Sequence, residues 1–411
     1  MTIQAAHAWL ELQQDRMVAD LVALCDQNSG SHNLAGLNRV ANWLENSMQL
    51  QPATSTRIEL SPREKINDRG QVQAELTGPL LRWDFQPRSQ RRVLLAIHYD
   101  TVFDADHDFQ NCVRVNDDQL RGPGVADAKG GIVVIRYCLQ ALIKFQLASA
   151  LGWTVVLNPD EELGSPSSAS YFRDIAQDFD FGILFEPALP NGGLVSQRKG
   201  SGNFTIVMRG RSAHAGRHFE DGRNAIAELS RLLVALDALN GRRSETTINI
   251  GQVTGGGPVN IVPDLAVARF NVRAPDDASA RWFEESLGVL VQAIRTRAEF
   301  VIELSGGFQS PPKLITESQK ELMRCVEIAG KVLGHTIQWQ ATGGVCDGNK
   351  LAAAGLPNID TLGPIGSGLH SIHETVQVRS LVDKAKLLTE LLCRFADGAF
   401  PNLERGSTLR H

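Results

Sequence analysis

Val93-Leu94-Leu95-Ala96-Ile97 runs directly into His98-Tyr99-Asp100. Two further apolar runs end in the same way. Trp153-Thr154-Val155-Val156-Leu157 leads to Asp160-Glu161-Glu162, and Phe181-Gly182-Ile183-Leu184-Phe185 leads to Glu186. Short, unbroken apolar runs read as strands covered on both faces, as in a parallel sheet. Open α/β sheets carry their chemistry beyond the carboxyl ends of the strands. A histidine and several acids gathered at one sheet edge point to a metal site.

Outward from these runs, strands and helices alternate from about residue 91 to 190. The helix after Gly131 carries Ile132, Ile135, Leu139, Leu142 and Ile143, with more apolar residues between them, and so is expected to be well buried. The first fifty residues read as helical, with Leu34, Leu37, Val40, Trp43 and Leu44 spaced on one face after the N-cap Asn33. The pattern changes between about 200 and 306. A strand (203–210), a helix (223–239), two strands (246–253 and 265–273), a helix capped by Asp276 (277–297) and a strand (299–304) follow one another. That β-α-β-β-α-β order is ferredoxin-like. After 312 the α/β pattern resumes, with a helix near 318–333, a short strand near 359–362 leading to His370, and a last helix near 381–395. The expected fold is therefore α/β: a mostly parallel sheet flanked by helices, interrupted by an inserted α+β unit. The expected division is 1–199 with 307–411 for the first unit and 200–306 for the second. Gly192-Gly193 to Gly200, and Gly306-Gly307 to Pro311-Pro312, are the candidate hinges.

Composition narrows the partners. Of 411 residues, 43% are apolar and 21% charged, an ordinary balance for a soluble chain. A formal charge of −5 argues against nucleic acid or an anionic membrane. No apolar stretch has the length of a membrane span, and residues 1–10 lack a signal peptide's pattern. A cytoplasmic location is the default expectation. The cysteines Cys25, Cys112, Cys138, Cys325, Cys346 and Cys393 are scattered with no close Cys-x-x-Cys pair, which argues against a zinc ribbon or a disulfide framework.

His98 and Asp100 stand two apart, so on a strand they share a face. One can bind metal while the other orients it through the far imidazole nitrogen. The glycines of 122–131 allow a tight path that aims Asp127 at the same point, and one carboxylate can bridge two cations. Of the adjacent Glu161 and Glu162, one can ligate while the other stays free as a base. Glu186 and His370 complete a nitrogen and oxygen ligand set, without thiolate, that suits two zinc ions. Each piece alone has an ordinary structural explanation: a strand histidine, a solvated acidic turn, a helix cap. The specificity lies in the set.

Taken together, the chain resembles the di-zinc aminoacylase and carboxypeptidase superfamily, which includes acetylornithine deacetylase, succinyl-diaminopimelate desuccinylase and glutamate carboxypeptidase. The matching motifs span most of residues 10–400. They are His98-Tyr99-Asp100-Thr101-Val102, Gly122-Pro123-Gly124 with Asp127 and Lys129-Gly130-Gly131, and Asp160-Glu161-Glu162-Leu163-Gly164-Ser165. Phe185-Glu186-Pro187, Ser212-Ala213-His214-Ala215-Gly216 and His370-Ser371 with Glu374 complete them. Phe185-Glu186-Pro187 and Thr342-Gly343-Gly344 place the wording nearest the glutamate carboxypeptidase branch.

The resemblance implies a role for each residue. His98 and Glu186 hold one zinc, Glu162 and His370 the other, and Asp127 bridges them after a chain path with a cis Asp127–Ala128 bond. Asp100 supports His98, and Glu161 is the general base for a metal-bridged hydroxide that attacks an amide carbonyl. His214, on the inserted lid and dimerisation unit, reaches the partner's active site in a homodimer and stabilises the oxyanion. Asn260 and Arg273 grip the substrate carboxylate. The expected substrate is a small peptide cut at its C-terminal amino acid, or an N-acyl amino acid. N-acetyl or N-succinyl deacylation is the alternative, and a non-catalytic metal-dependent binding protein the remoter one. Cobalt or manganese also fits the ligand set. Val345-Cys346 stands where the glutamate carboxypeptidase pattern has a further glycine, and only Arg198 and Lys199 offer a second cation near a hinge.

Overall fold

A computed structural model describes residues 2–297 and 299–404. The three apolar runs form the strands Arg91–His98, Leu151–Asn158 and Phe181–Leu184, all parallel, with Asn358–Ile359 parallel to the last of them. Two strands the sequence reading did not identify, Thr54–Ile58 and Leu80–Phe85, extend the sheet antiparallel on the far edge. The six-stranded order is Thr54–Ile58, Leu80–Phe85, Leu151–Asn158, Arg91–His98, Phe181–Leu184, Asn358–Ile359.

Both faces of this sheet are covered, which is why the strands read as continuous apolar runs. Val93, Leu95, Ile97, Val155 and Leu157 join the core built by the N-terminal helices Ile3–Glu11, Gln14–Cys25 and Leu34–Ser47 with Lys129–Lys144, Glu317–Val332 and Val378–Ala396. Leu94, Ala96, Val156 and Leu184 face the opposite way, toward Phe172, Ile175 and Leu351. The Lys129–Lys144 helix begins straight after residue 128 and packs along Val378–Ala396, so its sequence is apolar nearly all round. Asn33 does cap its helix, its side chain accepting from Gly36 N at 3.0 Å.

The central segment forms a second, antiparallel sheet ordered Thr247–Gly255, Leu265–Ala274, Gly200–Arg209, Val301–Ser310. The helices Ala225–Asp237 and Asp277–Arg295 pack on it, and Asp276 caps the latter by accepting from Ser279 N at 2.7 Å. Its last strand runs on to Ser310, which pairs with Ser201, so Gly306 and Gly307 lie inside the strand. A Cβ on Gly306 would meet Asn203 O at 2.0 Å, and its φ of 103° needs glycine. A hairpin made of Arg63–Ile66 and Val72–Glu75 reaches across to this sheet. Arg269 bonds Asp68 at 2.7 Å and Ile66 O at 2.8 Å, and Arg209 bonds Gly70 O at 2.7 Å.

The chain crosses between the two sheets at Arg198–Gly200 and at Ser310–Lys313, and the crossings pair through Arg198 N to Lys313 O and Lys313 N to Arg198 O, both 3.0 Å. Arg198 and Lys313, one on each crossing, share the buried Asp360 carboxylate at 2.8 and 2.7 Å. Burial alone would push the Asp360 carboxyl up, but the two cations outweigh it and hold it well below the usual range. A depressed carboxylate contributes stability that is fully present above its unfolded pKa of about 4 and is lost as pH falls through the folded value. Asp360→Asn, which leaves two buried cations unpaired, is expected to destabilise the protein by about 3–5 kcal/mol near pH 7. The gap from wild type should narrow below about pH 4, as measured by denaturant unfolding across pH. A gap that stays constant with pH would contradict the ion-pair account.

Candidate metal centre

The carboxyl ends of the parallel strands supply the site. His98 ends its strand, and its imidazole is fully buried. Glu186 follows Phe181–Leu184, its backbone N bonding Asp360 O at 3.2 Å. Glu161 and Glu162 lie in a single 3-10 turn, Glu161–Leu163, just past Leu151–Asn158. A small antiparallel sheet brings in the remaining two candidate ligands, Asp127 and His370. Gln119–Arg121 pairs with Thr375–Gln377, which sets the loop holding Asp127 beside the loop holding His370. Glu374 fixes that junction: its carboxylate accepts from the backbone N of Gly124, Ala126 and Asp127 at 3.0, 2.9 and 3.0 Å. The Asp127–Ala128 bond is cis.

These loops bring five side chains together. His98 Nε2 lies 3.1 Å from Asp127 Oδ1 and 3.6 Å from Glu186 Oε2. His370 Nε2 lies 3.2 Å from both Asp127 Oδ2 and Glu162 Oε2. Asp127 thus turns one oxygen to each group. Two atoms bound to one tetrahedral ion at roughly 2.0–2.1 Å stand about 3.3 Å apart, so both groups have the spacing of ligands sharing an ion. His98, Asp127 and Glu162 also fall within one ligand-sized cluster, with ligand atoms all within 4.8 Å.

Electrostatics support the same reading. Asp100, Asp127, Glu161, Glu162 and Glu186 crowd two imidazoles. Burial, then the Asp127 charge, raises Glu162 to about 7, while hydrogen bonds to Asp127 and Glu162 lift His370 to about 11. Burial and then the Glu186 charge raise Glu161 well above a free glutamate. So much negative charge in a buried place suits a pair of dications, which would lower those carboxyl values again.

Asp100 does more than the sequence suggested. His98 Nδ1 is 3.0 Å from the Asp100 backbone O and 3.3 Å from its Oδ1. The carboxylate also accepts from Glu161 N at 3.1 Å, Glu162 N at 3.2 Å and Ser31 Oγ at 2.7 Å. It therefore orients His98 and the acidic turn together. Asp160 is structural, accepting from Ser167 N, Ser168 N and Ser168 Oγ. Glu161 has neither a hydrogen bond nor an ion pair on its carboxylate among the described residues.

The other predicted residues lie on the central unit. His214 sits on a two-residue strand paired with Ile261–Val262, where its Nδ1 accepts from Gly216 N at 3.1 Å. Asn260 is next to it, its backbone O accepting from Ala215 N at 2.9 Å. Neither has a bond to the five-residue cluster among the described residues. Arg273 is half-buried and donates to Asn271 Oδ1 at 2.9 Å and to Gly343 O at 3.3 Å, with no carboxylate partner among the described residues. Arg198 is committed to Asp360 and to Gly344 O, and Lys199 to Glu245, so the expected spare cation beside the hinge is not free. Cys346 is buried and caps the helix Asp347–Ala353, its Sγ accepting from Gly348 N at 3.3 Å. Missed in the sequence were Asp347, Lys350 and Asp360. Asp360 directly follows the short buried strand Asn358–Ile359, and its place at a strand end could have marked it.

With this geometry in view, the sequence profile of peptidase family M20/M25/M40 matches residues 94–394. The chain belongs to that family and is a metallohydrolase of carboxypeptidase or desuccinylase type, acting on amide bonds. Carboxypeptidase G2 of Pseudomonas sp. (strain RS-16) is 27% identical over 365 residues, 87% of this chain and 84% of that protein. A succinyl-diaminopimelate desuccinylase of Methylobacterium radiotolerans is 28% identical over 306 residues, covering 70% and 75% of the two. Among solved structures, the M20 metallo-carboxypeptidase Sso-CP2 of Sulfolobus solfataricus superposes with a TM-score of 0.73 at 16% identity, over 93% of this chain and 99% of that one. A dinuclear metal-binding M20 peptidase of Bacillus subtilis gives a TM-score of 0.63 at 15% identity, over 94% and 99%. These two establish the shared fold. No helix among the described residues is long and apolar enough to cross a membrane.

Proposed function

We propose that this chain is a cytoplasmic, homodimeric di-zinc hydrolase that cleaves the amide bond of a small carboxylate-bearing substrate, either a peptide at its C-terminal amino acid or an N-acyl amino acid. The observation that carries this reading is Asp127, whose two oxygens address two separate imidazole–carboxylate groups at 3.1 and 3.2 Å. His98 and Glu186 would hold one cation, His370 and Glu162 the other, and Asp127 both; cobalt or manganese would fit the same donors. When bound, such a pair supplies Lewis acidity and an acidified water.

The chain's own residues do the rest. Glu161, whose carboxylate has no hydrogen bond among the described residues, takes the water's proton and returns it to the leaving amine. Asp100 holds the Glu161 backbone and His98 at once, which fixes the base relative to the ligands. Arg273, with no acidic partner among the described residues, offers its guanidinium to the substrate carboxylate, and Asn260 adds an amide from the same unit. Residues 200–306 act as the lid, closing over the substrate and excluding water. His214 acts on the partner's site. Its distance in sequence and in bonding from its own cluster is in keeping with that role, and light scattering checks the dimer on which it depends.

The test is hydrolysis of a panel of N-acyl amino acids and dipeptides, with and without chelator. Chelator-sensitive release of a C-terminal amino acid from dipeptides supports the carboxypeptidase form. Preference for N-acetyl or N-succinyl groups supports the deacylase form, which the commitment of Arg198 and Lys199 to other partners favours over strict recognition of an acidic side chain. Zinc binding with no amidase activity on any member would sink the enzymatic reading. Arg273→Ala should raise KM about tenfold or more by removing charge-assisted hydrogen bonds, with kcat less affected; an unchanged KM removes Arg273 from the site.

A further inference from the structure

Behind the Glu161–Glu162 turn lies a buried ion pair that the chemistry above does not use. Asp347 and Lys350, 2% and 6% exposed, pair at 2.9 Å within the first turn of the helix Asp347–Ala353. The same Asp347 carboxylate accepts from Asn158 Nδ2 at 2.7 Å and from Ser165 Oγ. Asn158 ends the strand before the turn, and Ser165 is the first residue after its closing Gly164. Asp347 therefore grips the base-bearing turn at both ends from behind, while Asp100 holds it from the front.

The helix that carries Asp347 is tied on its other side to the two crossings that lead to the central unit. Asn349 Nδ2 donates to Lys199 O at 3.0 Å and to Pro311 O at 2.7 Å, one acceptor on each chain crossing. The loop leading into the helix is held by Arg273 at Gly343 O and by Arg198 at Gly344 O. Burial works against the Lys350 charge, but Asp347 and then Glu161 outweigh it and raise its pKa above that of a free lysine. Burial pushes the Asp347 carboxyl up, but Lys350, with hydrogen bonds from Ser165 and Asn158, more than offsets it and holds the carboxyl below its usual range.

We propose that Asp347 and Lys350 are positioning residues that set the Glu161 turn according to the position of the lid, through Asn349. This rests on the reading of Glu161 as the base. A helix of seven residues bonded to both crossings and to both ends of the turn moves as one piece, so a shift of the crossings displaces the turn. A displacement of about 1 Å at a reacting group costs up to about 100-fold in rate.

The test uses the full-length, metal-loaded enzyme and a substrate from the panel it hydrolyses. Lys350→Met is expected to lower kcat about 10–100-fold, with KM nearly unchanged and metal content equal to wild type. Lys350→Arg should recover most of the rate, and Lys350→Gln serves if the methionine variant is poorly folded. A lowered Tm with kcat intact would reduce the pair to a stabilising one and overturn the proposal, as would a rise in KM alone. Asn349→Ala with Lys350→Met should be less than multiplicative in kcat, because both break one connection; fully multiplicative losses would overturn the link to the lid. Glu161→Gln, run in parallel, separates the two readings. If it is inactive while Lys350→Met is normal, only the positioning role fails; if it is active, the base assignment fails first.

Discussion

Glu161→Gln should leave the metal content at the wild-type value and lower kcat by about 10²–10⁴-fold, the usual contribution of a positioned general base. The amide keeps the shape of the side chain and removes its basicity. Its neighbours should not move, because the turn is held by groups other than the Glu161 carboxylate: Asp100 takes the backbone N of Glu161 and Glu162, and Asp347 takes Asn158 and Ser165. The substitution also removes one of several crowded negative charges, so the variant is expected to unfold at the same temperature or slightly higher. Metal analysis, a kcat and KM pair and a melting curve on one preparation give the answer. A variant that keeps most of its turnover would mean that another group takes the proton, and a variant that loses its metals would make Glu161 a ligand.

The same turn shows how far the sequence could be read. Glu162 and Glu186 were legible as candidate ligands because each follows an apolar run, and a run buried on both faces reads as an inner strand whose end opens on the sheet edge. His98, Glu162 and Glu186 are found by that rule alone. Asp127 and His370 are not at strand ends; glycine-rich loops deliver them, so residue type and the glycine path suggested them, and the family resemblance supplied their separate roles. The β-α-β-β-α-β order of the central unit was equally legible, because its helices carry one apolar face and begin at side-chain caps such as Asn224 and Asp276.

What stayed hidden is long-range and polar. Thr54–Ile58 and Leu80–Phe85 sit on the antiparallel edge, and the first of these is largely exposed, so no apolar run marks it. Asp347 and Lys350 look like an ordinary surface pair at i,i+3, and nothing local reveals that Asn158 and Ser165, nearly 200 positions away, fold against them. Arg198 looked like a spare cation for a substrate because its partner, Asp360, is 162 residues distant. Propensity and periodicity report the near neighbours of a residue. Buried charge is decided by partners that the fold brings from elsewhere.

Those partners also determine what happens when the bridge is cut. Asp127→Ala should reduce bound metal from two ions per chain to less than one after dialysis and bring turnover down at least 1,000-fold. Without that carboxylate each proposed cation would keep only one imidazole and one glutamate, His98 with Glu186 and His370 with Glu162, and would lose the charge that joins the two groups. The backbone of the loop should survive, because Glu374 holds it through the N–H groups of Gly124, Ala126 and residue 127, which alanine retains. Stability then provides an independent readout. An ion at 100 times its Kd adds about 2.7 kcal/mol to the native state, so chelator should lower the Tm of the wild type and leave that of Asp127→Ala unmoved. If the variant keeps two ions and still melts earlier with chelator, the cations are held elsewhere, and the convergence of these five side chains has a different cause.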